Sequence, residues 1–353
     1  MSVLKLSLII PTHNRANSLA RLLENITAID SNVTFEIVVV DNNSCDQTKE
    51  IVEKYKNKKV QYIFEPSTSF TKARHTGFEH ATGDVLVYMD DDVLVREGAF
   101  KEIVRVFSEH RDCAVAGGKI VPLFEVEPPT WVLDLQKSFN GLSLYDLGER
   151  EMEVHAIPGP LMAIARKAYK QVGGFPPDTV GVETNSAKKT FKKLYIGPGD
   201  YGFCLLCREA GYKVWYVPTI SLQHVILPVR LTKEFWRSRM VGEGHVAALI
   251  RQNMVQFQAK GFAQTKDRLV TLKKMVEHFL RAKVLRMSGS NAPLIPDELW
   301  FEYYRSLHAM NAVLKGNPGL ASYVWELGKI GVADKDYDAV VAKLPEAYKK
   351  LAL

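Results

Sequence analysis

Three carboxylates, Asp90, Asp91 and Asp92, stand side by side directly behind the apolar run Val85 to Met89. Like charges this close repel by about 1 kcal/mol per pair at 4 Å in water, and by more near a protein surface. Such a triplet needs a compensating charge. A divalent cation supplies one, and carboxylate oxygens are hard ligands that suit Mg²⁺ or Mn²⁺. A metal held in this way can grip a diphosphate, so the triplet points to nucleotide chemistry.

The elements that must position the triplet are legible upstream of it. Residues 6–10 (LSLII), 35–41 (FEIVVVD), 60–65 (VQYIFE) and 85–90 (VLVYMD) are short apolar, β-branched-rich runs that read as strands. Between them lie an amphipathic helix at 18–29, a helix at 46–57 capped by Asp46, and a helix near Phe70 to His80 that ends at Thr82-Gly83. Alternating strands and helices demand parallel strands with right-handed crossovers, the doubly wound α/β class. Ligands of such sheets collect beyond the carboxyl ends of the strands. Three polar clusters fall there: PTHNR at 11–15, DNNS at 41–44 and DDD at 90–92.

Further along, the pattern changes. Residues 123–160, with Pro128-Pro129 and IPGP at 157–160, read as loops around a site. Helix and strand signals return at 161–176 and 199–224, separated by a polar, Lys-rich loop at 178–196. Beyond about Pro228 the chain reads as helical, and Trp300, Tyr303, Tyr304 and Leu307 at helical spacing form a core face. The expected domains are therefore 1–228, carrying the site, and a helical region at 229–353.

Composition bounds the function. At 46% hydrophobic and 24% charged, the 353-residue chain is an ordinary globular protein. No apolar run approaches the roughly 20 residues of a spanning helix, and the start of the chain reads as no signal peptide, so a cytoplasmic location is expected. Four cysteines make no disulfide framework. Cys204 and Cys207 form a lone CxxC on one helix face, a structural rather than a zinc-binding pattern. Residues 1–224 carry 26 basic and 28 acidic side chains, whereas 225–353 carry 20 and 12. Of this excess, 13 basic and 4 acidic groups lie between Arg230 and Arg286, beside Trp236. That bias suits an anionic membrane surface, with a solvated helical face or a subunit contact as the alternative. No recognisable nucleic-acid module is present.

Read in order, LSLIIPTHNR, EIVVVDNNSCDQT, KARHTGFEHATGDVLVYMDDD, GPLMAIARKAYKQVGGF and GPGDYGFCLLCREAGYKVWYVPTISLQH resemble glycosyltransferase family 2, over about residues 4 to 245. The resemblance implies a GT-A fold and an inverting transfer of sugar from a UDP- or GDP-sugar to an acceptor hydroxyl of a glycan or lipid-linked glycan. It also implies roles for residues. Pro11, Thr12, Asn14 and Arg15 would wrap the nucleotide. Asp41 would accept hydrogen bonds from the base, and Arg74 would lie near the base or the phosphates. Asp90 and Asp92 would be the two acids of a DxD element, Asp90 facing the ribose and Asp92 the Mn²⁺ or Mg²⁺, with Asp91 among the nucleotide contacts. His224 would be a further metal ligand, the alternative being a structural histidine. Gly159 would let backbone approach the sugar or diphosphate, and Asp200 would be the general base, with a helix N-cap as its other reading.

Two positions depart from the family pattern. Gly199 precedes Asp200 where the family usually has Glu, and His75 stands where Asn is common. The missing carboxylate leaves open a non-catalytic binding protein of the same fold. A strand followed by Asp-x-Asp also suits a phosphatase of the haloacid dehalogenase type, although those enzymes usually place it on the first strand.

Overall fold

The computed structural model describes residues 4–29, 32–56, 59–138, 140–176 and 199–240. Four parallel strands come first: β1 (Leu6–Thr12), β2 (Phe35–Asp41), β3 (Val60–Phe64) and β4 (Val85–Met89). They are linked by α1 (Ala16–Ala28), α2 (Thr48–Glu53) and α3 (Phe70–His80). Every residue of β1 is buried, so apolar residues fill both of its faces rather than alternating, with Ser7 and Thr12 the buried polar exceptions. On α1 the buried Leu19, Leu22, Leu23 and Ile26 recur every three or four residues, as an amphipathic helix requires. Gly77 lets α3 lie close on the sheet, because a Cβ there would meet Ile9 Cγ2 at 2.3 Å. That close seat fixes where Arg74, one turn earlier, can point.

After β4 the chain forms β5 (Val93–Val95), α4 (Ala99–Glu109), β6 (Cys113–Gly117), β7 (Ile120–Phe124), α5 (Thr130–Ser138), β8 (Met152–Glu153) and β9 (Leu161–Ala165). The described elements end with α6 (Arg166–Val172), α7 (Gly199–Glu209), β10 (Lys213–Tyr216) and β11 (Leu222–Ile226). Eight strands make one sheet in the order β3-β2-β1-β4-β9-β6-β10-β8. It is mixed, because β9 runs antiparallel to both β4 and β6. A second sheet, β5-β11-β7, carries the chain away from β4 and sets β11 between β5 and β7.

Pro11 occupies a central strand without breaking its ladder. Leu6 and Thr12 hydrogen-bond toward β2, so alternation turns the N–H that Pro11 lacks toward β4. Pairing with β4 stops at Ile9↔Tyr88, before that point. Beyond that point the Thr12 hydroxyl bonds Asp91 across the two strand ends.

Several local expectations change. The helix expected at 46–57 is α2, Thr48–Glu53, and Asp46 lies outside it. The Asp46 carboxylate accepts from the Thr48 amide at 3.1 Å and from the Ala16 amide at 2.9 Å, so it also holds the start of α1. Residues 123–160, expected as loops, contain the end of β7, α5 and β8. The loop expected at 178–196 and the aromatic face at Trp300 to Leu307 lie outside the described residues. Cys204 and Cys207 are buried beside Phe203 on α7, and burial pushes both thiols up to about 12.

The chain divides into two compact units, residues 1–127 with 142–228, and residues 128–141 with 229–353. All of the expected site residues belong to the first. In the second, the Trp131 and Trp236 rings meet edge to face at 6.2 Å. Gly141 admits Trp236, since a Cβ there would approach its ring to 2.4 Å.

Candidate active site

At the carboxyl end of β1, Thr12 is buried and its hydroxyl donates to Asp91 Oδ2 at 2.7 Å. Arg15 follows, and one guanidinium nitrogen bridges Asp91 Oδ1 at 3.0 Å and Asp92 Oδ2 at 2.8 Å. Part of the charge compensation demanded by the triplet thus comes from the chain's own cation. Burial raises the Asp91 pKa, Arg15 opposes the rise and Asp92 adds to it, leaving Asp91 at about 6. Burial and then the charge of Asp92 also raise Asp90, against the opposing charge of Arg74.

The second sheet completes this cluster. Its pairing sets His224 opposite Val93, and the Val225 amide donates to the Asp92 carbonyl at 2.8 Å. His224 is buried, and its Nδ1 donates to the Leu142 carbonyl at 2.9 Å. That bond orients the ring and turns Nε2 the other way. Nε2 has no hydrogen-bond partner and lies 3.3 Å from Asp92 Oδ1. An imidazole nitrogen and a carboxylate oxygen facing each other in a buried place, the ring oriented by a backbone carbonyl, are the donor types that fit a divalent cation.

Asn14 and Asp41 tie the neighbouring strand ends together. Asn14 adopts a positive φ of 53°, its amide donates to Ser44 Oγ at 2.9 Å, and its Oδ1 accepts from the Cys45 amide at 2.8 Å. Asp41 accepts from the Ser44 amide at 2.8 Å and from the Tyr62 hydroxyl at 2.7 Å. His13, within the same PTHNR cluster, is exposed and its Nδ1 donates to the Asn42 carbonyl at 2.8 Å.

A second cluster forms around Arg74. Its guanidinium carbon lies 4.2 Å from the centre of the Phe70 ring and 4.5 Å from that of Phe175. One terminal nitrogen pairs with Asp200 Oδ1 at 2.7 Å. Asp200 stands in the first turn of α7. A Cβ at Gly159 would lie 2.3 Å from Asp200 Oδ2, and one at Gly199 would lie 3.3 Å from Arg74. His75 holds the clamp: its Nε2 donates to the Phe175 carbonyl at 3.1 Å and its Nδ1 accepts from the Tyr169 hydroxyl at 2.9 Å. Both departures from the family pattern, His75 and Gly199, therefore meet this cluster. Asp90 lies within electrostatic reach of Arg74 and Asp200, and its amide donates to the Pro160 carbonyl at 3.3 Å.

Phe70, Phe175 and the pairings of both arginines escaped the motif reading. Arg15 and Asp92 are 77 positions apart, and Arg74 and Asp200 are 126 apart, so no local pattern joins them.

Residues 7–173 match the family model described as Glycosyl transferase family 2. This region is a family 2 glycosyltransferase domain. The match covers the Arg15 cluster as far as Asp92, Arg74 and Gly159, but ends before Asp200 and His224. Among curated proteins the chain is similar to the poly(ribitol-phosphate) beta-N-acetylglucosaminyltransferase TarS of Staphylococcus aureus, with 35% identity over 112 residues. That alignment covers 31% of this chain and 20% of TarS, so the chain spans a fifth of that relative. Among solved structures, GalNAc-T7 with UDP, GalNAc and Mn²⁺ superposes with a TM-score of 0.50 at 18% identity, covering 70% of this chain and 50% of that one. The mannosyltransferase PcManGT from Pyrobaculum calidifontis, with GDP-Man and Mn²⁺, also has a TM-score of 0.50, at 16% identity, covering 100% of this chain and 84% of the other. The family 2 domain has the GT-A fold. The match of residues 7–173 to this family sets the phosphatase reading aside.

Proposed function

We propose that this chain transfers a sugar from a nucleotide diphosphate sugar to an acceptor hydroxyl, with inversion at the anomeric carbon. One observation carries the reading: the buried His224 Nε2 turned toward Asp92 Oδ1 at 3.3 Å, at the strand ends of a family 2 domain. Pro11, Thr12, Asn14, Arg15 and Asp41 would line the nucleotide. Asp90 would face the ribose, and the backbone at Gly159 would approach the sugar or diphosphate. Asp92 and His224 would hold Mn²⁺ or Mg²⁺, whose charge would stabilise the departing diphosphate. Asp200 would take the proton of the acceptor hydroxyl while that oxygen bonds to the anomeric carbon and the bond to the diphosphate breaks.

Either a UDP- or a GDP-sugar suits the nucleotide end, as the two structural neighbours illustrate with UDP and GDP-Man. A glycan or lipid-linked glycan suits the acceptor end, in line with the polymer substrate in the name of TarS. Such a reaction belongs to polysaccharide biosynthesis. The basic segment 230–286 supports peripheral contact with an anionic membrane surface on the cytoplasmic side. No helix among the described residues is long and apolar enough to cross a membrane.

The test is a panel of UDP- and GDP-sugars, measured for binding and turnover with and without Mn²⁺. Asp92→Ala is expected to lose metal-dependent binding. Asp200→Asn is expected to keep binding and lose transfer by about 10²- to 10⁴-fold, the usual contribution of a general base. Metal-dependent binding with no turnover in the parent would make the chain a binding protein of the same fold. Absence of binding across the whole panel would remove the reading.

A further inference from the structure

We infer that Arg74 is a positioning residue for the base: it fixes Asp200 through Oδ1 and leaves Oδ2, above Gly159, as the proton-accepting oxygen. This rests on the proposed transfer reaction and adds the device that orients its base.

The arrangement restricts what Arg74 can do. Its side chain is only 4% exposed and its guanidinium carbon lies over both the Phe70 and the Phe175 ring. Such stacking suits a planar guanidinium and would serve a lysine ammonium less well. The backbone is held too, because the Tyr88 hydroxyl donates to the Arg74 carbonyl at 3.1 Å. A cation so confined cannot follow a ligand. Its partner is freer: the Asp200 side chain is 32% exposed.

Two glycines shape the space around the pair. At Gly159 a Cβ would fall 2.3 Å from Asp200 Oδ2 and 3.1 Å from Arg74, so any side chain would push the carboxylate aside. At Gly199 a Cβ would crowd the paired nitrogen of Arg74 at 3.3 Å. Fixing one oxygen by a charge-assisted hydrogen bond aims the other, and aim matters because a misplacement of about 1 Å can cost a hundredfold in rate.

The decisive experiment is a kinetic cycle of Arg74→Met, Asp200→Asn and the double variant, with nucleotide binding measured by calorimetry and folding by thermal unfolding. Arg74→Met is expected to lower kcat at least tenfold while nucleotide affinity changes less than threefold. The double variant should be no slower than Asp200→Asn, since a positioning residue has nothing left to position. Arg74→Lys, which keeps the charge, should recover part of kcat and supplies the readout if Arg74→Met fails to fold.

Tenfold weaker nucleotide binding with kcat preserved would make Arg74 a donor contact and overturn the inference. So would a double variant slowed by the product of the two single effects, or an Arg74→Lys as impaired in kcat as Asp200→Asn. A parent that turns over no nucleotide sugar removes the transfer reading itself. An active parent with uncoupled positions 74 and 200 removes only this inference.

Discussion

The two arginine clusters are built in opposite senses. Around Arg15 the acids are sealed, with the side chains of Asp91 and Asp92 6% and 0% exposed, while the arginine is 41% exposed. Around Arg74 the cation is sealed at 4% and the acid, Asp200, is 32% exposed. Buried charges need partners, but the partner that reaches solvent can be exchanged. Arg15 can therefore give way while its carboxylates stay, as the proposed metal and diphosphate site would require. Around Arg74 the cation stays, and on the proposed reading the exposed carboxylate would meet the acceptor hydroxyl.

The sharpest way to break this contrast is at Gly159. Gly159→Ala is expected to lower transfer by about a hundredfold, because its Cβ would displace Asp200 Oδ2. Steady-state kinetics with saturating donor checks this, and unchanged kcat would show that the exposed acid has no fixed aim.

A smaller effect is expected from Arg15→Gln, which leaves two buried carboxylates without their cation. Removing one member of a buried pair costs about 3 to 5 kcal/mol, so the half-exposed Arg15 should cost about 2 kcal/mol in chemical denaturation. Added Mn²⁺ should restore more stability to this variant than to the parent. If Mn²⁺ stabilised both equally, Arg15 and the metal would not share the same charges.

Glu65 offers the smallest effect and a control outside both clusters. Burial raises its pKa, but hydrogen bonds from Thr76, the Ser67 amide and Lys72 outweigh this and hold it at about 2. A carboxyl depressed from 4.5 stabilises the fold above pH 4.5, and that stabilisation disappears as pH falls toward 2. Glu65→Gln should remove about 1 to 2 kcal/mol of the acid-induced loss, read from urea midpoints at successive pH values. An unchanged acid slope would mean that the carboxyl is not held there.

Much of the first half was legible because its signals are local. The run FEIVVVD is β2 residue for residue, and Phe70 to His80 is α3. The region 93–122, which holds β5, α4 and β6, was not read from the sequence: VLV and the small-residue strand CAVAG carry little periodicity, whereas Phe100, Ile103, Val106 and Phe107 of α4 lie at helical spacing. In the site, the acids and His224 were named from their place in the motifs. Their partners were not, since the motif reading gave compensation of the triplet to a metal and left Arg15 among the nucleotide contacts.

By itself the sequence determined the parallel order of β1 to β4, the polar clusters at their ends and the family pattern they follow, since apolar periodicity and turn chemistry act over a few residues. Only the tertiary structure decided that β9 runs antiparallel beside β4, that β11 carries His224 to Asp92, and that each acid cluster has its own arginine. Those pairings depend on packing between segments tens to more than a hundred positions apart. The burial of one partner and exposure of the other exist only once the core has closed around them.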